Sequence, residues 1–377
     1  MSNPFIFENF AVGSSFCGRK KELKELKQLC GDGNNVLLYS KRRFGKSSLI
    51  KQFFSHHLPK KRFMTVYVDL FEILEANDFA KLFYKAAAES MKFSIKTASQ
   101  NLIKYFKKVH FSMSLDESGA ASFAPTLASR DFDELIDDTF KGLMQYAIEK
   151  DITIVVAFDE FQQITEIKDK QIDAIIRKHI QNHTKISYIF SGSKQHILTG
   201  LFTGQRKALY SMATGIELTA IDAGDFYKFA NSQLDGRLSY DAFIELEGIV
   251  AGESKLLQQA CYNFYYIEGK IDSHMVNQVV NKMVKQSDGE YRMVFESLTK
   301  SQKTALKAIA IHNGMKLFYK DVLSDLGTNK QTLLASLKAL IKTDVVYKEN
   351  EQYFITDRKF HLWVKKLYAL INTSHAD

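Results

Sequence analysis

The stretch NVLLYSKRRFGKSSL, residues 35–49, decides the fold. Its first six residues form a short apolar run typical of a buried strand, and helix-like sequence follows from Lys46 to His56. Between the two, Ser40 to Ser47 fits the phosphate-binding P-loop pattern GxxxxGK[ST], except that Ser40 replaces the first glycine. A strand before the loop and a helix after it are the context in which this pattern binds ATP.

Each P-loop residue has an expected role. Backbone N–H groups and the helix N-terminus converge on the phosphates, and Gly45 lets the backbone approach them closely. Lys46 is expected to lie against the β- and γ-phosphates, and the Ser47 hydroxyl is a candidate ligand of Mg²⁺. The other candidate nucleotide contacts in and beside the loop are Ser40, Lys41, Arg42, Arg43, Phe44 and Ser48.

Two adjacent carboxylates follow a second buried strand, about 110 residues downstream. Residues 152–158 are almost wholly apolar and lead directly into Asp159 and Glu160. We expect Asp159 to hold Mg²⁺ and Glu160 to deprotonate the attacking water. An acidic strand end leading into a loop is the structural alternative, but a P-loop in the same chain favours the catalytic interpretation.

Further candidates for ATP hydrolysis are two serines and several arginines. Ser193 is the first candidate to contact the γ-phosphate or the attacking water, and Ser191 is the second; a serine that simply ends a strand is the alternative. Arg206 is one candidate for an arginine that offsets charge in the transition state of a neighbouring subunit's nucleotide; an ordinary surface arginine is the alternative for each candidate, and the sequence does not choose among them. The other candidates are Arg177, Arg42 and Arg43.

The order of elements predicts an α/β fold, a parallel P-loop NTPase sheet flanked by helices. Strands are predicted at 63–70 and 185–191 in addition to the two above, and helices at 78–93 and from Asp131 onward. Alternating apolar and polar residues predict a β-hairpin insertion over 109–124, with a disordered loop as the alternative.

Two further domains are predicted after this core, which spans residues 1–220. Residues 221–298 have helical spacing and predict an α-helical lid. Residues 299–377 contain three helical stretches, two short strands and a closing helix, the order of a winged helix-turn-helix domain.

Composition places the chain among soluble cytoplasmic proteins. Hydrophobic residues make up 45% and charged residues 25% of its 377 residues. No segment approaches the roughly 20 apolar residues that span a membrane, and the N-terminus lacks the pattern of a secretory signal. Three cysteines without metal-ligand or disulfide spacing fit a reducing compartment.

The last domain is the basic part of the chain. Residues 299–377 carry 13 Lys or Arg against 7 Asp or Glu, which is +6 of the total net charge of +8. This charge fits double-stranded DNA bound by a reading helix at 329–342, and it fits a solvated surface equally well. The polar face of that helix is predicted to be Lys330, Gln331, Ser336, Lys338 and Lys342. Its apolar face is predicted to be Leu333, Leu334, Leu337 and Leu340.

Together these motifs resemble the archaeal-type ATPase family, prokaryotic P-loop ATPases related to the AAA+ and STAND groups. Phe16 to Leu23 is similar to the family's N-terminal F-x-G-R-x-x-E-L box, which implies that Gly18 and Arg19 lie beside the adenine. Asp159 to Gln162 resembles its acidic motif, and Phe190 to Ser193 resembles its sensor strand, which implies that Ser193 is the sensor. The tail around residues 353–357 resembles its winged-helix domain.

The chain departs from that family in the lid. Where relatives carry a Gly-x-Pro segment, this chain has Gly252-Glu253-Ser254-Lys255, so only Lys255 is offered as a weak sensor candidate. The family implies ATP binding but not a cellular role. The alternative to a DNA-coupled ATPase is therefore a switch for a protein partner, of signalling or defence type, with slow or no ATP turnover. Oligomerisation is compatible with both.

Overall fold

The computed structural model describes residues 3–91, 104–106, 111–115, 121–125 and 132–373. Contacts divide the chain into two compact units. The core unit is Phe10–Thr219, and the helical unit is Met1–Asn9 together with Ala220–Asp377. The predicted boundaries of the lid and the winged-helix domain stay predictions.

The described residues of the core unit form a five-stranded parallel sheet, which confirms the predicted fold class. Side by side, the strands are β2 (Phe63–Asp69), β5 (Thr153–Asp159), β6 (Ile186–Gly192), β1 (Val36–Tyr39) and β7 (Thr214–Glu217). The sequence predicts all of them except β7. That strand buries only one of its four side chains and therefore leaves no apolar pattern.

Successive side chains along the buried strands point to opposite faces of the sheet, so each strand contributes to two hydrophobic clusters. Leu38 and Ala157 belong to the cluster that packs under helices α1 (Lys20–Gly31) and α2 (Lys46–Gln52). Phe158 and Phe190 lie on the opposite face, packed in a cluster rich in aromatic rings. The helices that supply that second cluster include α3 (Ala76–Ser90), α4 (Phe132–Lys150) and α5 (Ile172–Ile180). Because all strands are parallel, the carboxyl ends of β1, β5 and β6 meet at one edge, where ligands bind in this class of fold.

The predicted hairpin insertion corresponds to an antiparallel pair. Strand β3 (Phe111–Leu115) pairs with β4 (Ala121–Pro125), so that Met113 lies opposite Phe123. The predicted turn between these strands lies outside the described residues.

The segment predicted as the lid, residues 221–298, begins with four helices. They are α7 (Ala223–Gln233), α8 (Tyr240–Val250), α9 (Ser254–Phe264) and α10 (Ser273–Gln286), numbered after α6 (Gln195–Thr203) of the core unit. The N-terminal residues pack on these helices: Phe5 is buried with its ring edge-on to Phe229, and Asn3 Nδ2 donates to the Tyr262 carbonyl oxygen at 3.0 Å.

The winged-helix elements follow in the predicted order. After α11 (Asp288–Glu296) come α12 (Lys300–His312), α13 (Lys320–Asp325), α14 (Lys330–Lys342), β8 (Val346–Glu349), β9 (Gln352–Ile355) and α15 (Arg358–Thr373). The two strands pair antiparallel as the wing. Asn329 begins α14 by accepting a hydrogen bond from the Thr332 N–H at 2.9 Å. None of the helices in the described part of the chain is both long and apolar enough to cross a bilayer.

Candidate nucleotide site and winged-helix surface

The P-loop runs from the end of β1 into the N-terminus of α2. Gly45 takes a left-handed conformation, φ 87°, immediately before the first helical residue, and apart from its chain neighbours no described residue has an atom within 4 Å of the position that a Cβ would occupy. A glycine is therefore favoured here for its backbone and leaves open space beside the helix N-terminus.

Lys46 is buried inside the loop. Its Nζ donates to the Ser40 Oγ at 3.1 Å and to the Lys41 carbonyl oxygen at 3.4 Å. Burial lowers the pKa of the Lys46 ammonium, while the carboxylates of Glu160 and Asp159 oppose that shift. Ser40 thus supplies the lysine with a hydroxyl acceptor that a glycine at the same position lacks.

Asp159 joins the P-loop to the strand end. Its side chain is only 2% exposed, and its Oδ2 accepts hydrogen bonds from the hydroxyls of Ser47 and Tyr67, both at 2.6 Å. The Ser191 hydroxyl donates to Oδ1 from the neighbouring strand β6. A buried carboxylate must have its acceptor capacity satisfied, and the donors are these three hydroxyls and the Glu160 N–H, 3.1 Å from Oδ1.

Glu160 lies at the rim of the same site. Its backbone is left-handed, φ 53°, an uncommon conformation for a non-glycine residue and one that clusters at functional sites. Its Oε2 accepts from the Ser193 Oγ at 2.9 Å and from the Gln162 Nε2 at 2.5 Å. The two predicted serines therefore divide between the two carboxylates, Ser191 on Asp159 and Ser193 on Glu160.

Arg19, in the F-x-G-R-x-x-E-L box at Phe16 to Leu23, binds the backbone of the P-loop. The guanidinium donates to the carbonyl oxygens of Phe44 at 3.0 Å and Thr219 at 2.7 Å, and it pairs with Glu22 at 3.0 Å. Burial lowers the pKa of Arg19, opposed by Glu22. Arg19 thus holds the loop in place, and its predicted contact with the nucleotide, like that of Gly18, stays a prediction.

The remaining predicted contacts are more peripheral. Ser48 Oγ accepts from the Ala11 N–H at 3.2 Å, which ties the N-terminal segment of the core unit to α2. Lys41, Arg42 and Arg206 are exposed, and Arg43 has a left-handed backbone with φ 65°. The guanidinium of Arg177 donates to the Ala208 carbonyl oxygen of its own chain.

The sequence analysis did not single out Tyr67, and it named Gln162 only as the last residue of the acidic motif, without a role. Tyr67 reaches Asp159 from β2, and Lys51 Nζ lies 3.3 Å from the centroid of its ring. Burial, and then the nearby Asp159 charge, raise the pKa of the Tyr67 hydroxyl, so it donates as a neutral group. The sequence predicted strands at 63–70 and 152–158 but not that they pair, and it is this pairing that brings Tyr67 close to Asp159.

The donor set fits Mg²⁺. The Ser47 hydroxyl and the Asp159 carboxylate are hard oxygen ligands 2.6 Å apart, beside the open space at the helix N-terminus. No cluster of three or more His, Cys, Asp or Glu residues suited to a metal occurs among the described residues. Mg²⁺ needs none, because it is usually bound through one or two carboxylates together with waters and substrate phosphates.

In the helical unit, the exposed face of α14 carries Lys330, Lys338 and Lys342, none of which forms an ion pair with a described residue. Gln331 is also exposed. The prediction for Ser336 is wrong: it is buried, and its Oγ donates to the Thr332 carbonyl oxygen at 2.9 Å. The hydrogen bond to the carbonyl oxygen one helical turn earlier satisfies this hydroxyl. A serine that helical spacing places on the polar face can therefore be buried. Leu333, Leu337 and Leu340 are buried as predicted, and Leu334 is half-buried.

The unusual lid segment contacts the closing helix. Glu253 is buried, and its Oε1 accepts from the Arg358 N–H at 3.3 Å. Arg358 Nε also donates to the Ile249 carbonyl oxygen at 2.8 Å, and burial lowers the pKa of its guanidinium. Lys255, the weak sensor candidate, is exposed near the N-terminus of α9.

Comparison with known proteins supports the same architecture. The Walker-type ATPase of Pyrococcus abyssi is 18% identical over 96% of this chain and 99% of its own, with a TM-score of 0.66. The ORC2 protein of Aeropyrum pernix in its ADPNP–ADP complexes is 13% identical over 99% and 100% of the two chains, with a TM-score of 0.54. At these identities the likeness shows the fold alone. No curated protein matches the chain.

Sequence models of two domain families match the chain. The model of a probable winged helix domain matches residues 289–366, and the model described as an ATPase domain predominantly from Archaea matches residues 16–260. The second match covers more than half of the chain and includes the P-loop, Asp159 and Glu160. The chain therefore belongs to this family of P-loop ATPases found predominantly in archaea, and it carries a winged helix domain after the ATPase domain.

Proposed function

We propose that the protein hydrolyses ATP with Mg²⁺ and acts as a nucleotide-driven switch coupled to double-stranded DNA through its winged helix. The observation that carries the proposal is the 2.6 Å hydrogen bond between Ser47 and Asp159, two residues that lie 112 positions apart in the sequence. It joins the P-loop to the acidic strand end, with Glu160 at the rim. Relatives in fold include a protein solved with ADPNP and ADP, which supports nucleotide binding.

In this proposal each residue has one task in the reaction. Lys46 binds the β- and γ-phosphates, and Ser47 with Asp159 holds Mg²⁺. Bound Mg²⁺ would neutralise charge on the phosphate oxygens. Glu160 accepts a proton from the attacking water while the water oxygen forms a bond to the γ-phosphorus. The bond from the γ-phosphorus to the β–γ bridging oxygen breaks, and ADP leaves with its electron pair.

An arginine from a neighbouring copy is part of the proposal. Arg206 is exposed and forms no ion pair with a described residue, so its guanidinium is available to a second molecule. In the reaction it would offset negative charge on the transferred phosphoryl group.

The test is steady-state ATP hydrolysis by the wild type and Glu160→Gln, each with and without duplex DNA. We expect Glu160→Gln to bind ATP normally and to lose at least about tenfold in kcat, because a general base typically contributes about 10²–10⁴-fold. We expect DNA to accelerate the wild type. A wild type that binds ATP but does not hydrolyse it would show that the catalytic assignment is wrong.

A second candidate function is a protein-interaction switch that does not bind DNA. It is favoured by the buried contact between Arg358 and Glu253, which ties the closing helix of the winged helix domain to the lid helices. In that case the winged helix serves as an internal contact rather than a DNA reader. An ATPase rate that is indifferent to DNA, together with no salt-dependent DNA binding, would favour this second function.

A further inference from the structure

Gln162 is a buried residue next to the proposed general base. It lies in the short 3₁₀ helix Phe161–Glu166 that follows β5, and its side chain is 2% exposed. Its Nε2 donates to Glu160 Oε2 at 2.5 Å. The Ser193 Oγ, at 2.9 Å, and the Ser193 N–H, at 3.4 Å, donate to the same oxygen.

These donors treat the two oxygens of Glu160 differently. All three reach Oε2, while no hydrogen-bond donor among the described residues reaches Oε1. The carboxylate is therefore held through one oxygen and keeps the other for a further donor. A general base needs this arrangement, because it must be fixed in place and still accept a proton.

Gly192 provides the space for the Gln162 amide. A Cβ added at Gly192 would lie 1.8 Å from the Gln162 Oε1 and 3.0 Å from its Cδ. The backbone of Gly192 is ordinary strand within β6, so the requirement for glycine here is steric. The same Oε1 is buried and has no hydrogen-bond partner among the described residues, which is unfavourable for a carbonyl oxygen. The amide is thus placed by its fit against Gly192 and by its bond to Glu160.

We propose that Gln162 is a positioning residue for ATP hydrolysis, which holds Glu160 through Oε2, and that Gly192 is the glycine that admits it. This inference rests on the proposed role of Glu160 as general base. The contact between Gln162 and Gly192 fixes the Gln162 amide, and the amide in turn keeps Glu160 Oε1 oriented toward the proton of the attacking water.

The experiment measures kcat, KM and ATP affinity for Gln162→Met, Gly192→Ala and Glu160→Gln. Methionine keeps the length of glutamine and removes the donor. We expect Gln162→Met and Gly192→Ala each to lower kcat about tenfold, as small displacements of catalytic groups do. ATP affinity should change less than about twofold, because neither residue belongs to the P-loop. The matched control is Gln163→Met, since Gln163 lies in the same 3₁₀ helix but donates to the Phe71 carbonyl oxygen.

Two double variants separate positioning from a general structural effect. Gln162→Met combined with Glu160→Gln should be no slower than Glu160→Gln alone, because the base it positions is already gone. Gly192→Ala should cost nothing further in a Gln162→Ala background, because the side chain that the new methyl group meets is absent. Gln162→Asn, which keeps an amide but shortens its reach, carries the same test if methionine disturbs folding.

The inference is overturned if Gln162→Met and Gln162→Asn keep the wild-type kcat, or if their losses add to that of Glu160→Gln. If Glu160→Gln itself leaves kcat unchanged, the proposed function fails first, and the two failures are thereby distinguished.

Discussion

The nucleotide site and the exposed face of α14 treat charge in opposite ways. Lys46 and Asp159 are both buried and hydrogen-bonded: Lys46 donates to its own loop, while Asp159 accepts from hydroxyls on distant parts of the chain. Lys330, Lys338 and Lys342 are exposed and have no ion-pair partner among the described residues. A single change should therefore be severe in the first region, whereas the second should respond only to the sum of several charges.

The largest expected effect comes from Lys46→Met, which keeps most of the side-chain volume and removes the charge. We expect kcat/KM for ATP to fall by up to about a thousandfold, because a positioned cation at the phosphates is lost. Nucleotide affinity and turnover are the measurements, with exposed Lys20→Met on α1 as the control. Equal activity of Lys46→Met and wild type would contradict the comparison at its strongest point.

The next prediction tests whether a single substitution has a large effect because the residue is buried, rather than because it belongs to the ATPase domain. His361 lies in the winged-helix region but is buried, which lowers its pKa to about 4, with Arg358 and Lys365 adding to the shift. The folded state therefore favours the neutral ring. Unfolding takes up a proton below pH 6.5, so stability is full above that pH and falls as the pH drops toward 4.

We expect His361→Leu to remove this loss, which amounts to at most about 3 kcal/mol in the free energy of unfolding. The measurement is urea unfolding at pH 7, 5 and 4 followed by the fluorescence of Trp363, the only tryptophan of the chain. His274→Leu at an exposed position is the control. Parallel pH dependence in the wild type and His361→Leu would refute the assignment.

The smallest expected effect concerns the exposed lysines. The triple variant Lys330→Gln, Lys338→Gln and Lys342→Gln should weaken duplex binding about tenfold, and each lost phosphate contact should reduce the slope of log K against log salt by about 0.9. The control is the equally charged change Lys270→Gln, Lys282→Gln and Lys285→Gln, at exposed positions outside α14. Equal losses in the two triple variants would mean that α14 does not read DNA and would favour the protein-interaction switch.

Local patterns predicted most of the fold because they depend on nearby residues. Each of these patterns can be recognised within a few consecutive positions: the run 35–40, the triplet Gly45-Lys46-Ser47 and the apolar strand before Asp159. The helices and strands of the winged-helix region were likewise readable from spacing. Strand β7 was missed because one buried Ile216 leaves no period, and Ser336 was misassigned because helical spacing alone does not show which hydroxyl bonds back to its own helix.

The nucleotide site likewise has features that the sequence predicted and features that only the structure revealed. From sequence alone came the identity of the P-loop, the acidic pair and the two serines, because these residues lie at or just after the carboxyl ends of strands, which meet at one edge of a parallel sheet. Only the tertiary structure decided that Ser191 holds Asp159 while Ser193 holds Glu160, and that Tyr67 and Gln162 complete the site. The physical reason is that strand order and side-chain direction place these hydrogen bonds, and neither is encoded by the spacing of residues along the chain.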